Sequence, residues 1–225
     1  MTPLGFGQLD FDIAHLLAGG MVLISFLMLY QGRIHALISV FALQAMALAL
    51  SVAWQAHIQI SGHLYITAGV TFFFKVLVIP YALHHMVQRL GIHRQVETSL
   101  ATGAIMLVGI GLVALSLVVM LPVTITSNPL AREDLAFALS VVLLGLLMMV
   151  TRRNAVGQIV GFMSMENGLI LAAAGASGMP LVVEIAVAFS VLIALIVIGV
   201  FLFRIRESFD TVDVDMLDQY RGGRK

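Results

Sequence analysis

The sequence predicts an all-α, polytopic membrane protein, and three observations carry that prediction. Of its 225 residues, 60% are hydrophobic and 11% charged, with a mean hydropathy of +1.05; ordinary soluble domains are roughly 25% charged. The apolar residues gather into seven runs, most of them near the ~20 residues a helix needs to cross the hydrocarbon core. The connections between runs are too short to hold a soluble domain. Runs this long and this evenly apolar do not read as barrel strands, which leaves helices as the spanning form.

The first span, 13–30, follows MTPLGFGQLDFDIAH, which is mildly acidic and lacks the basic start of a cleaved signal peptide. It is therefore expected to stay in the mature chain. After QGR comes the second span, 34–60, and after QISGH the third, 64–86, which carries Lys75 beside Phe72, Phe73 and Phe74 and ends near His84 and His85. A polar stretch, QRLGIHRQVETS, leads to the fourth span, 100–121, and PVTITSNPLARED to the fifth, 135–150. TRRN opens the sixth span, 155–175, which holds Glu166; GASGMP opens the seventh, 181–203, which holds Glu184.

Arginine placement orients the chain. Arg33, Arg89, Arg94, Arg152, Arg153, Arg204 and Arg206 fall at one set of span ends, and Arg132 alone falls at the other. This predicts the N-terminus outside and the C-terminus in the cytoplasm of a bacterial or archaeal inner membrane. A constant offset that lays Arg33 on Arg152 also lays spans one to three on spans five to seven without a gap. The expected organisation is two parallel three-helix units, 1–98 and 132–206, joined by a connector helix and loop, 99–131, and followed by a cytoplasmic tail, 207–225.

Composition narrows the chemistry. Twelve basic and twelve acidic residues balance, and no cationic run suggests nucleic acid. The chain has no cysteine, so it cannot supply a disulfide, an iron–sulfur ligand or a thiolate metal site. No nucleotide loop or nucleophile constellation appears, and no histidine pair has ligand spacing backed by an acid. No catalytic site, cofactor or metal is expected; redox chemistry would belong to partner subunits.

What remains are ionisable groups inside apolar runs, which are functional candidates by default. Glu166 lies ~11 residues, or ~16 Å, from the charged end of its span. It serves either proton transfer or a structural hydrogen bond to Asn167, Ser164 or a neighbouring helix. Glu184 follows Pro180 closely, so it is either a relay or a helix-start acid on the positive end of the dipole. Lys75 lies about as deep as Glu166, too deep to reach either face comfortably. It either trades protons or pairs statically with a partner's acid. Histidine is the side chain type suited to proton exchange near neutral pH, so His84 and His85 are candidates for exchange with the cytoplasm, or are simply interfacial. Gly157-x-x-x-Gly161 permits close helix packing.

The RRN start at Arg152–Asn154, MEN in mid-helix and a second acid in the next helix resemble the small K-type subunit of respiratory complex I, whose relatives also occur in multisubunit cation/proton antiporters. The seven-span layout resembles component E of the hydrogenase-four type, found in membrane-bound hydrogenase and formate hydrogenlyase complexes. The resemblance implies a membrane subunit of a redox-driven, proton-translocating complex, with antiporter-like and other complex I-like subunits as partners. It also implies a lateral proton path through two intramembrane glutamates. The first family position falls on Met163, one turn from Glu166; the second falls near Ser190, with Glu184 earlier and at a different depth. A structural spacer in such a complex, or a subunit of a cation/proton antiporter, is the alternative.

Overall fold

The computed structural model describes residues 6–89, 98–123 and 129–175. Seven α-helices and one π-helical segment make up the described chain: α1 Phe6–Tyr30, α2 Ile34–Ile58, α3 Gly62–Thr71, the π-segment Phe72–Val78, α4 Ile79–Arg89, α5 Thr102–Val123, α6 Pro129–Thr151 and α7 Ala155–Gly175. Six helical stretches are long and apolar enough to cross a membrane, and α3, the π-segment and α4 together form one of them. These correspond to the first six expected spans. The seventh span, Glu184 and the C-terminal tail lie outside the described residues, as does Arg94.

Successive spans alternate in direction, and their packing follows from where small residues lie. α6 and α7 are the most intimate pair. A Cβ on Gly145 of α6 would run into the backbone nitrogen of Met165, and one on Gly161 of α7 would come 2.7 Å from Met149 N. A Cβ on Gly168 would lie 2.8 Å from Val142 N. Three glycines thus let the two backbones touch, the usual device where hydrocarbon gives no hydrophobic drive to association. Gly161 does what the sequence motif suggested. Gly157 serves another end: its N–H donates to Asn154 Oδ1 at 2.6 Å, capping the start of α7.

α2 is the central element, packed on α1, α3, the π-segment, α4 and α7. Phe41, Leu48, Val52 and Ala56 are buried along it. α5 is peripheral and presents Leu107, Ile110 and Val118 outward. Such exposed aliphatics are what a lipid-facing or subunit-facing surface requires.

Local chemistry sets the ends. α2 closes with Ile60 N–H on His57 O at 3.4 Å and Ser61 N–H on Ala56 O at 3.1 Å. This is the two-bond helix stop that usually has glycine at its left-handed position; here Ile60 holds it, with φ of 51°. At the opposite end, buried Arg152 donates from one guanidinium nitrogen to Met28 O and Leu29 O, both at 2.9 Å. It thereby satisfies carbonyls at the C-terminus of α1 that the helix itself leaves open. Burial pulls this guanidinium below its ordinary pKa, but an arginine stays charged. The RRN stretch is therefore a structural joint: Arg152 ties α6 to α1, and Asn154 starts α7.

α6 begins at Pro129, earlier than the expected span start at residue 135. Proline is well suited to a helix's first position. The consequence is that Asp134, expected in a loop, sits inside the helix and is only 3% exposed.

Candidate functional site

Lys75 lies in the middle of the third span, within the π-segment FFFKVLV. Pro80 accounts for the segment's position: it offers no N–H to Val76 O, and its ring crowds that carbonyl. Widening the preceding turn resolves the conflict, and Ile79 N–H accordingly donates to Phe74 O, five residues back. Such wide turns inside α-helices are rare and are frequently found at functional sites. Here it is Lys75 that turns into the bundle, where it is 1% exposed.

The ammonium meets two groups from the middle of α7. Lys75 Nζ lies 3.2 Å from Glu166 Oε2 and donates to Asn167 Oδ1 at 2.7 Å. Glu166 is 4% exposed and Asn167 fully buried. Asn167 Nδ2 donates to Gln44 Oε1 of α2 at 3.1 Å. Gln44 Nε2 then donates to Ser25 Oγ of α1 at 2.7 Å and to Ser164 Oγ of α7 at 2.9 Å. Ser25 completes the chain by donating to Met21 O at 2.8 Å.

Hydrogen-bond direction is fixed from that last carbonyl outward. Met21 O can only accept, so the Ser25 hydroxyl spends its proton there and accepts from Gln44. Gln44 thus turns its amide nitrogen to the serines and its oxygen to Asn167. Asn167 in turn presents its oxygen to Lys75. The result is an acceptor and a carboxylate held on one buried amine. Each would be costly alone in hydrocarbon; together, a single proton shift along the 3.2 Å line converts an ionised pair into a neutral one.

Of the residues that the sequence singled out, Lys75 and Glu166 are brought together within one chain, with no partner's acid needed. His84 and His85 lie apart from them, on α4. The His84 ring packs on His35 with centroids 4.3 Å apart, and the His85 ring stacks on Tyr81. His84, His85 and Gln88 line a groove of about 830 Å³ with Ile38 and Tyr81 between α2 and the third span. Glu184 is outside the described residues. Met163 is buried on α7 near the pair.

Sequence reasoning missed Gln44, Ser25 and Asp134, and considered Asn167 only as a hydrogen-bond partner of Glu166, whereas its oxygen accepts from Lys75. Gln44 was visible as an amide in mid-span, a pattern that would have suggested a hydrogen-bonded centre. Among the described residues no group of three or more His, Cys, Asp or Glu side chains could hold a metal ion.

These features define a polytopic α-helical membrane protein with an ion pair buried halfway through its bundle. No family model and no solved structure matches the chain. Among curated proteins it is 31% identical over 207 residues to "Uncharacterized protein Rv0085" of Mycobacterium tuberculosis, across 91% of this chain and 94% of that one. The chain belongs to the family of that protein. It is also similar to Hydrogenase-4 component E of Escherichia coli, at 29% identity over 212 residues, or 93% of this chain and 98% of that one. Hydrogenase-4 component E of Shigella flexneri matches to the same extent.

Proposed function

We propose that this chain is a membrane subunit of a redox-driven, hydrogenase-type complex and passes protons through the Lys75–Glu166 pair. The observation that carries the reading is the pair itself: two titratable groups 3.2 Å apart, both buried, at mid-depth in the bundle. The near full-length similarity to Hydrogenase-4 component E supports the choice of complex. In this reading the chain has seven spans in two parallel units within the inner membrane, with its N-terminus outside. Antiporter-like subunits flank it, and His84 and His85 lie at the cytoplasmic end.

A purely structural role has one observation in its favour, since the Asn167–Gln44–Ser25 chain ties three helices together. Substitution separates the two. Glu166→Gln keeps size and hydrogen bonding but releases no proton. Lys75→Arg keeps the charge but is effectively unable to deprotonate, and Lys75→Met removes it. With the complex assembled in membrane vesicles, Glu166→Gln and both Lys75 variants should lower proton movement per turnover at least about tenfold, within the usual worth of a placed acid or base. Proton movement at the parent's level in Glu166→Gln and Lys75→Arg, with Lys75→Met failing to assemble, would make the pair an anchor.

A further inference from the structure

A second buried carboxylate lies at the far end of the bundle from Arg33, Arg152 and Arg153. Asp134 of α6 is 3% exposed and faces three other helices. α2 presents Gln55, whose Nε2 donates to Asp134 Oδ2 at 3.2 Å. α1 presents His15, with Nδ1 3.9 Å from Asp134 Oδ1. α7 presents the backbone at Gly175, where an added Cβ would lie 3.6 Å from Asp134 Cβ. Gln59 holds this arrangement in place, donating to Gln55 Oε1 at 3.2 Å and to Ala174 O at 2.9 Å. Its donation occupies the Gln55 oxygen and turns the Gln55 amide nitrogen towards the acid.

The His15 side chain is 25% exposed. The carboxylate therefore has a titratable group between it and the surroundings, at the end of the membrane layer where water is available.

Between this cluster and the Lys75–Glu166 pair runs a line of buried polar side chains. Gln44, Ser51 and Gln55 are all buried on α2. Their spacings of seven and four residues put them on one stripe of the helix, about 16 Å long at the helical rise. On the facing third span, Thr67, Thr71 and Lys75 are buried at intervals of four. Thr71 Oγ1 is buried with no hydrogen-bond partner among the described residues, and a buried hydroxyl of that kind is ordinarily met by an ordered water.

We propose that Asp134, with His15 beside it, is the proton-exchange site at the end of the bundle away from the Arg33, Arg152 and Arg153 cluster. It connects to the Lys75–Glu166 pair along the Gln55–Ser51–Gln44 stripe, with water held at Thr71. The inference rests on the relay reading above and gives that relay its second opening. In the step, a water in the stripe passes a proton to an Asp134 oxygen, and Asp134 releases one through a bridging water across the 3.9 Å gap to His15, which hands it to water outside; no electrons move and no bond other than O–H and N–H changes.

The test uses the assembled complex in membrane vesicles. Asp134→Asn keeps shape and still accepts from Gln55, so a structural acid would tolerate it. The expected result is a loss of proton movement per turnover of at least about tenfold, with substantial recovery in Asp134→Glu. Mass-spectrometric mapping after treatment with dicyclohexylcarbodiimide, which adds to protonated buried carboxyls, should find Asp134 modified, increasingly as pH is lowered. Normal proton movement in Asp134→Asn, beside a defective Glu166→Gln, overturns the exchange site and leaves the relay standing. Normal movement in both overturns both. If Asp134→Asn fails to assemble, the mapping on the parent decides: no modification of Asp134 at any pH overturns the proposal.

Discussion

Lys75 owes its setting to a residue it does not touch. Asn167 faces it with an oxygen only because Gln44 takes the Asn167 amide nitrogen, and Gln44 is turned by the serines. Gln44→Leu should therefore act at a distance. It leaves Asn167 Nδ2 without its acceptor and two serine hydroxyls without their donor. Buried groups so abandoned cost about 1–3 kcal/mol in water-soluble hosts, though contacts between membrane helices average nearer 0.6 kcal/mol. We expect a modest drop in the thermal midpoint of the detergent-solubilised protein and a larger fall in coupled proton movement, because the acceptor for Lys75 is then free to turn. An unchanged proton rate with a lowered midpoint would show that the amides only bind helices. At this scale the sequence was half legible. Lys75 and Glu166 stand out because a full charge in an apolar run has no cheap explanation. Gln44 and Asn167 do not, because a neutral amide in a membrane helix is affordable and common. Asp134 was hidden for another reason: span ends drawn from hydropathy are uncertain by a few residues, and that margin decides whether an acid is in a loop or in the bundle.

The elements add what single residues cannot, namely fixed distances. The π-segment turns Lys75 inward, while the glycine contacts between α6 and α7 set where Glu166 stands. Gly145 is the tightest of these, since an added Cβ meets Met165 N and also comes 2.9 Å from Gly161 O. Both are backbone atoms, which cannot swing aside as a side chain would. Gly145→Ala must push α7 away from α6, with an expected cost of about 1–3 kcal/mol for overpacking. Because Met165 adjoins Glu166, the same shift should weaken the Lys75 contact. A lower thermal midpoint together with reduced proton movement is the expected outcome in detergent and in vesicles respectively. Gly62→Ala, at an exposed position with open space around its Cβ, is the matched control and should change neither. The sequence announced glycines but not which were essential. Gly157-x-x-x-Gly161 matched a familiar spacing, yet only Gly161 packs on α6, and Gly145 and Gly168 carry no such pattern. The π-segment was foreshadowed by Pro80, since a proline inside an apolar span demands some local accommodation; its form depends on tertiary packing.

Across the whole molecule, charge is sorted between two ends. Arg33, Arg152 and Arg153 lie where α1 and α6 finish and α2 and α7 begin, beside the His35–His84 contact. His15, Gln55 and Asp134 lie at the opposite end, where α2 and α7 finish and α3 and α6 begin. Alternating helices make that sorting possible, and it was readable in the sequence because basic residues need only be assigned to span ends, not to neighbours. The direction of the whole bundle in the membrane follows if basic loops stay in the cytoplasm. The chain has no cysteine, so single reporters are clean. Arg153→Cys occupies an exposed position at the arginine end, and Gly62→Cys an exposed position at the other. In intact cells a membrane-impermeant maleimide should label Gly62→Cys and spare Arg153→Cys; in inverted vesicles the pattern should exchange. The reverse pattern would turn the bundle over and put Asp134 on the cytoplasmic side, making it an entrance rather than an outlet. Labelling of both from the same side would contradict the alternation of spans, and with it the placement of Lys75 and Glu166 at mid-depth.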